Sequence, residues 1–388
     1  MVASWNSALE RMAMRKRIRY VVAGVVIVCL GFAVWGATGR GAPAGPVDLK
    51  LAETASFGED RGRGNLVGIQ PYMVPSDYAT EERFRSKMDG YLAAAKEGGF
   101  LGGKTIVVLP EYLGAWLIVA GEKRAVYAAA TAQSAMAMLI ASNPVRFLRY
   151  KVGSRQPVPG AVFTMKAHEM AGIYQRVFSG LASKYAVTIV AGSTLAPNPS
   201  VGGSGLVVGD GGLFNVSGIY GPDGRMLGIV KKAFLTGGER PFLTAGEASS
   251  NQAFQTTIGR LGVLVCADAW YPQSYQRLQE GRAEVVAVPS FLSSGVDDAW
   301  ERVWFGYDGP TPADVDQRDV QRLTEGQATM KYALPGRLAS SGAKVGMQVF
   351  LRGRFWDLRS DGVAIAVSGG EVYETKRVDG ATILNLWL

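Results

Sequence analysis

Three side chains that together could carry out nucleophilic acyl transfer each follow a predicted strand. Glu111 comes just after the apolar run Thr105–Leu109. Lys232 follows the second strand of a predicted hairpin, and Cys266 follows another apolar run. A thiol can attack an amide carbonyl when a carboxylate takes its proton and a cation stabilises the developing oxyanion. The three residues therefore predict a nucleophile, a general base and an electrostatic stabiliser. We also expect Lys232 to depress the pKa of the Cys266 thiol.

The composition excludes other kinds of chemistry. Two cysteines, Cys29 and Cys266, cannot form a disulfide framework, and the single histidine, His168, cannot build a His-rich metal site. No flavin, nicotinamide or metal signature is present, so we predict no metal and no cofactor. Gly98–Thr105 satisfies the phosphate-loop pattern, but a predicted helix precedes it and a strand follows it. That order is the reverse of the order phosphate binding needs, so nucleotide binding is rejected.

The motifs around the three residues resemble the nitrilase, or carbon–nitrogen hydrolase, superfamily over about residues 64–388. They are, in chain order, Leu109-Pro110-Glu111, Lys232-x-x-Leu235-x-x-Gly238-Glu239 and Cys266-x-Asp268-x-x-x-Pro272. The last is similar to the amidase and carbamoyl-hydrolase branches rather than to the Cys-Trp-Glu of true nitrilases.

The resemblance implies a Glu-Lys-Cys triad of Glu111, Lys232 and Cys266. It also implies Glu239 as a supporting carboxylate and the Ala267 backbone N–H as an oxyanion donor. Because neighbouring residues on a strand point to opposite faces, only one of Lys231 and Lys232 should face the site. The candidate lining residues of the substrate pocket are Tyr112, Trp116, Asp268, Trp270, Tyr271 and Ser290. The aromatic members of this set are equally plausible as core residues.

Short apolar runs and two amphipathic stretches outline the elements that must position these side chains. The predicted strands are Leu66–Gln70, Thr105–Leu109, Val187–Gly192, Phe214–Tyr220, Arg225–Val230, Leu261–Val265, Val285–Pro289, Val363–Val367 and Ile383–Leu386. Helices are predicted around Tyr78–Lys96 and Ala167–Tyr185. The mixture indicates an α+β sandwich, and the resemblance implies a four-layer α-β-β-α arrangement. An insertion at about 120–165 contains the Ala/Met-rich run Ala125–Ser142 and a basic, aromatic segment. It could be a lid, a membrane-interface segment or an ordinary core helix.

The net charge of +8 is concentrated at the amino terminus. Residues 1–40 contribute +5, so the body is nearly neutral and no nucleic-acid partner is predicted. Twenty uncharged residues at 20–39 predict one transmembrane helix after a basic cytoplasmic segment, 1–19. Residues 40–63 are predicted as a linker and 64–388 as the catalytic domain. The alternative is a cleaved signal peptide ending at Ala42-Pro43-Ala44. The preferred interpretation is a single-pass protein of the cytoplasmic membrane with its catalytic domain outside the cytoplasm.

Three functions remain open at this stage. The first is hydrolysis of a non-peptide amide or carbamoyl C–N bond through a cysteine thioester. The second is acyl transfer or lipid-amide hydrolysis, because the chain has some resemblance to the catalytic domain of the apolipoprotein N-acyltransferase family. The third is a catalytically silent binding domain. The expected partners are a small-molecule or lipid-like amide and the membrane, and the resembling family commonly forms homo-oligomers.

Overall fold

The computed structural model describes residues 2–41, 43, 45–152, 156–203, 205–247, 253–294 and 298–388. The α-helices are α1 Val2–Ala37, α2 Glu81–Glu97, α3 Arg124–Tyr127, α4 Ala132–Ser142, α5 Pro144–Val152, α6 Val158–Tyr185, α7 Pro272–Glu280, α8 Glu325–Tyr332 and α9 Leu334–Arg337. The strands are β1 Leu51–Phe57, β2 Asn65–Gln70, β3 Tyr72–Met73, β4 Thr105–Leu109, β5 Thr188–Ala191, β6 Thr194–Pro197, β7 Ser200–Gly202, β8 Gly205–Val207, β9 Leu213–Tyr220, β10 Met226–Lys231, β11 Phe254–Thr256, β12 Gly259–Val263, β13 Val285–Ser290, β14 Leu292–Ser294, β15 Val345–Phe350, β16 Arg352–Phe355, β17 Leu358–Asp361, β18 Ile365–Ser368, β19 Glu371–Glu374 and β20 Ala381–Trp387.

Two large mixed sheets form the centre of the fold. The first has the strand order β1-β20-β2-β4-β5-β9-β10, with β6 also paired to β9. The second has the order β11-β12-β13-β15-β18-β19. The central strands β2, β4 and β5 run parallel, as do β12, β13 and β15. Parallel strands are buried on both faces, which explains the continuous apolar runs in their sequences.

The period-two alternation along the strands builds three apolar layers. Ile106 and Val108 of β4 pack in one cluster with Met347 and Val349 of β15, so the two sheets face each other. The intervening Val107 lies on the other face of the first sheet, in the cluster that holds buried side chains of α2 and α6. On the outer face of the second sheet, residues of β13 pack with α7 and α9. The predicted four-layer α-β-β-α sandwich is therefore confirmed.

The segment predicted as a linker over 40–63 contains the strand β1. Its residues pair in parallel with β20, from Leu51 against Ala381 to Phe57 against Leu386. Only alternate residues of β1 are partly buried, as expected for an edge strand. The sequence did not predict this strand, since the surrounding segment is rich in Gly, Ala and Pro. Its partner strand also lies more than 300 residues later in the chain, so no local pattern indicates the pairing.

The insertion forms three helices rather than one long one. The predicted run Ala125–Ser142 is divided between α3 and α4, and Thr131 caps α4 by accepting from the Ser134 N–H. The basic, aromatic segment that follows forms α5.

The amino-terminal helix contains the predicted membrane span. Met12–Ala37 has 26 residues and contains an 18-residue window with a mean hydropathy of 2.3, so the helix is long and apolar enough to cross a bilayer. These properties fit a membrane anchor, and a signal sequence has them too. Ala42 and Ala44 of the alternative cleavage motif lie outside the described residues.

The end of α1 is fastened directly to the insertion. Arg40 donates to the Gly121 carbonyl at 2.9 Å and to the Ser142 carbonyl at 3.2 Å. Lys123 donates to the carbonyls of Trp35 and Thr38. The end of α1 is thus held by the insertion as well as by the chain that follows it.

The facing sheets predict a large cost for a cavity in the sandwich interior. Ile106 is fully buried between them. We expect Ile106→Ala to lower the free energy of unfolding by about 2–5 kcal/mol, because apolar contacts are lost and a cavity remains. Val372→Ala, at a position 45% exposed, should change it by no more than about 0.5 kcal/mol. Urea unfolding of the detergent-solubilised full chain measures both, and equal losses would contradict the assigned core.

Candidate active site

A buried lysine lies between two buried carboxylates at one end of the first sheet. The Lys232 Nζ is 2.8 Å from Glu111 Oε1 and 2.8 Å from Glu239 Oε2. All three residues are at most 5% exposed. An unpaired charge in such a place would be strongly disfavoured, so the lysine and the carboxylates depend on one another.

The first carboxylate is positioned by the end of β4 and the turn that follows it. Tyr112 adopts a positive φ of 61°, which a residue with a side chain rarely adopts. Its N–H donates to Ser193 Oγ at 2.8 Å, which holds the turn against the end of β5. Glu111 is thereby held at the rim of a rigid sheet.

The lysine is placed by the strand pairing of β9 and β10. The Lys232 N–H donates to the Asn215 carbonyl at 2.9 Å, one residue beyond the end of β10. Lys231 points elsewhere, with its Nζ 4.5 Å from the centre of the Phe214 ring. The predicted alternation is therefore observed, and of these two lysines Lys232 enters the site.

Cys266 opens a short 3₁₀ turn, Cys266–Trp270, directly after the second sheet's strand β12 and its extension. Its φ is 48°, again in the left-handed region. The Sγ lies 3.6 Å from the Phe291 carbonyl oxygen. Strained backbone of this kind often occurs where a side chain must be presented to a site.

Asp268 ties the cysteine turn to the lysine loop instead of lining the pocket. One oxygen, Oδ1, accepts from the N–H groups of Ala233 at 3.0 Å and Phe234 at 2.8 Å. The other, Oδ2, accepts from Val265 at 3.2 Å. Burial raises the pKa of Asp268 to about 7, although these donors and Lys232 oppose the shift.

Asn215, which was not predicted from the sequence, connects the two carboxylates. Its Nδ2 donates to Glu111 Oε1 at 2.8 Å and to Glu239 Oε1 at 3.3 Å. Glu239 also accepts from the Tyr112 hydroxyl and from the N–H and hydroxyl of Thr236. A polar residue inside the apolar strand Phe214–Tyr220 was the one available sign of this role.

The mutual charges determine the protonation of the cluster. Burial by itself lowers the pKa of Lys232, but Glu111 and Glu239 raise it well above its ordinary value, so the lysine stays cationic. Burial raises the pKa of Glu111, with Lys232 opposing. Burial alone would raise the pKa of Glu239, but the charge of Lys232 and the hydrogen bonds that Glu239 accepts lower it below its ordinary value.

The cysteine is a neutral thiol in this environment. Burial, and then the charge of Glu111, raise its pKa well above the ordinary value. Lys232 lowers the pKa of Cys266, as expected from the sequence, but its effect is smaller than the combined effect of burial and Glu111. Lys232 therefore has the predicted direction of effect, but the net pKa is raised, and the thiol needs a base before it can attack a substrate.

A pocket of about 600 Å³ opens above Glu111, Lys232 and Cys266. Of the candidate pocket residues, Tyr112, Trp116 and Trp270 line it, and Glu239 and Ala267 line it too. The lining also contains aromatic residues that were not predicted from the sequence: Phe163, Phe242, Phe291, Trp304, Tyr307 and Phe350. Among its polar residues are Arg302, Asp308 and Glu325.

Asp268, Tyr271 and Ser290 are not among the lining residues. Tyr271 instead stacks on Phe234 with ring centroids 3.7 Å apart, and its hydroxyl donates to the Pro310 carbonyl. Ser290 is fully buried and accepts from Gln348 Nε2 at 3.0 Å. In the described part of the chain, no group of three or more His, Cys, Asp or Glu side chains is arranged to hold a metal ion.

The charge of Glu111 should control the titration of the thiol. In a Cys29→Ser background, Glu111→Gln removes the anion that raises the pKa of Cys266, so the thiolate should form at lower pH. We therefore expect modification by methyl methanethiosulfonate, followed by mass spectrometry, to become fast at lower pH. The control is Glu59→Gln, which alters an exposed glutamate paired with Arg61. A profile that is unchanged or moved to higher pH would contradict the assigned contact.

Comparison with known proteins identifies the family. A family model described as carbon-nitrogen hydrolase matches residues 66–307, more than half of the chain. A 107-residue stretch is 30% identical to the N-carbamoylputrescine amidases of Arabidopsis thaliana and Solanum lycopersicum. It covers 25% of this chain and about a third of each relative, 36% and 35%.

Solved structures of an amidase from Nesterenkonia sp. AN1 share the fold. Its double mutant in complex with acrylamide matches with a TM-score of 0.54 at 16% identity, over 85% of this chain and 93% of that chain. A mutant in complex with butyramide matches with a TM-score of 0.52 at 15% identity, over 84% and 91%. A third mutant shows Michael addition of acrylamide at the active site cysteine; its TM-score is 0.51 at 15% identity, over 82% and 92%. These matches show the fold, and the family model over residues 66–307 shows that the chain belongs to the carbon–nitrogen hydrolase family.

Proposed function

We propose that this chain hydrolyses a non-peptide C–N bond of an amide or carbamoyl compound through a thioester on Cys266. The observation that carries the proposal is the convergence of Glu111, Lys232 and Cys266 on one pocket. The family supports it, as does the similarity of part of the chain to N-carbamoylputrescine amidases. The amidase structures with acrylamide and butyramide support a small amide as the reacting group.

The first half of the proposed reaction forms the thioester. Glu111 accepts the thiol proton while Sγ attacks the carbonyl carbon, because the neutral thiol is not reactive enough alone. The oxyanion that forms is stabilised by the Lys232 ammonium and the Ala267 N–H. Protonated Glu111 then gives its proton to the leaving nitrogen, the C–N bond breaks and the amine departs.

The second half regenerates the enzyme. Glu111 takes a proton from a water molecule as the water attacks the thioester carbonyl. The C–S bond breaks, the carboxylic acid is released and the proton returns to the sulfur. Glu239 and Asn215 act as positioning residues, because they hold Lys232 and Glu111 in place during both halves.

The acyltransferase alternative differs only in what attacks the thioester. An amine in place of water would give N-acyl transfer. The aromatic residues of the pocket and the attachment of α1 to the insertion are the observations that keep a lipid-like acyl donor as a second candidate. A test with both acceptors is therefore part of the experiment below.

We also propose that α1 spans the cytoplasmic membrane, with its basic end inside and the catalytic domain outside. The support is the charge asymmetry of the helix: five basic residues precede Tyr20, and Arg40 follows the span. Reporter fusions at the two ends test this orientation, and a cytoplasmic carboxyl terminus would contradict it.

Removal of the thiol should abolish turnover. We expect Cys266→Ala to lower the rate of amide hydrolysis by at least about three orders of magnitude, since the covalent route is lost. Cys29→Ala, a matched cysteine removal in α1, should keep the wild-type rate. The assay uses the detergent-solubilised full chain with a panel of short and long linear amides and carbamoyl compounds.

Mass spectrometry of the same reactions distinguishes the alternatives. Wild-type protein should carry an acyl adduct on Cys266 that decays in water as free acid appears. Preferential transfer to an added primary amine would support the acyltransferase instead. Turnover by Cys266→Ala at the wild-type rate would overturn both.

A further inference from the structure

The outer face of α5 is apolar and open. Val145, Leu148 and Val152 are 83%, 59% and 76% exposed. Their spacing of three and seven residues puts them on one side of the helix. Phe147 and Tyr150 occupy the opposite side and pack on the domain core. A helix that buries aromatic residues on one face and exposes aliphatic residues on the other needs an apolar partner outside the domain.

All the charges of α5 are positive. Arg149 and Lys151 stand beside the exposed aliphatic stripe, and the helix has no acidic residue. Arg146 is exposed; it donates to the Met165 carbonyl at 3.0 Å and approaches Glu169 at 3.9 Å. The Lys151 Nζ donates to the Gln156 carbonyl at 2.5 Å. Aliphatic residues flanked by arginine and lysine are typical of helices that lie in the interface of an anionic bilayer.

The helix begins beside the end of α1. Arg40 donates to the Ser142 carbonyl and to Asn143 Oδ1 at 3.4 Å, and Asn143 directly precedes Pro144. The approach is close, since a Cβ added to Gly36 would lie 3.3 Å from the Ser142 carbonyl oxygen. The two helices are therefore joined at one level.

With α1 across the membrane, this level lies at a bilayer surface. The uncharged part of α1 runs from Tyr20 to its end at Ala37, and at 1.5 Å per residue it covers about 27 Å, close to the ~30 Å of the hydrocarbon core. Trp35 lies near its end, with its ring 4.5 Å from the Lys123 Nζ. Tryptophan beside lysine is common where a helix leaves the membrane.

We propose that α5 lies on the surface of the bilayer that α1 crosses, with Val145, Leu148 and Val152 among the lipid chains and Arg149 and Lys151 at the headgroups. The occupant of this face is thus anionic lipid. The continuity of α5 with the anchor and the sign of its charges favour lipid over a protein partner. The proposal depends on α1 spanning the membrane and is independent of the catalytic proposal.

Spin labels on the full chain in nanodiscs test the proposal. In the Cys266→Ala variant the spin label is attached to native Cys29, within the apolar part of α1. This label serves as the lipid control. Adding Cys29→Ser allows single labels through Val145→Cys, Leu148→Cys or Val152→Cys. Val372→Cys, on the edge strand β19 of the second sheet, serves as the water control.

The readout is accessibility to lipid-soluble oxygen relative to a water-soluble nickel chelate. In nanodiscs containing anionic phospholipid, the oxygen-to-nickel ratio at each of the three α5 labels should be severalfold higher than the ratio at Val372→Cys. It should be closer to the ratio at the Cys29 label than to that of the water control. Ratios equal to that of Val372→Cys would overturn the proposal, and would leave a protein partner for this face. A water-like ratio at Cys29 would overturn it by removing the anchor on which it depends.

Lipid charge tests the role of the basic residues separately. In nanodiscs of neutral phospholipid, or with Arg149→Glu in anionic ones, the ratio at Leu148→Cys should fall towards the water control. An unchanged ratio would overturn the assignment of Arg149 and Lys151 to the headgroups.

Discussion

The structure of the site depends on one buried cation. Lys232 is almost fully removed from water, and it is tolerable there only because Glu111 and Glu239 contact it directly. Two carboxylates around one ammonium leave excess negative charge, which Asn215, Tyr112 and Thr236 offset with hydrogen bonds. Burial, and then the charge of Glu111, raise the pKa of the Cys266 thiol, so its reactivity is coupled to the base beside it.

The sandwich brings these groups together from both sheets. Glu111 and Lys232 follow strands of the first sheet, while Cys266 follows a strand of the second. Asp268 joins the two sides, because it accepts N–H bonds from the lysine loop and from the start of the cysteine turn. The facing sheets are thus a condition of the chemistry as well as of stability, and a shift between them would separate the thiol from its base.

The insertion connects the apolar amino-terminal helix with the pocket. It receives the end of α1 through Arg40 and Lys123, and it continues into α6, which supplies Phe163 to the pocket lining. Phe163 stacks in turn on Phe242 from the lysine loop, with ring planes 7° apart. The insertion and α6 therefore contact the end of α1 and also form one wall of the pocket.

The sequence by itself determined the buried strands, the layer arrangement, the apolar anchor, and the glutamate, lysine and cysteine that follow strand ends. These features are local, because apolar periodicity and the residue after a strand can be recognised within a few positions. Only the tertiary structure decided the role of Asn215, the pairing of β1 with β20, the aromatic lining and the raised cysteine pKa. It also moved Asp268, Tyr271 and Ser290 away from the pocket. Each depends on contacts between residues far apart in the chain, and on burial, which no single segment contains.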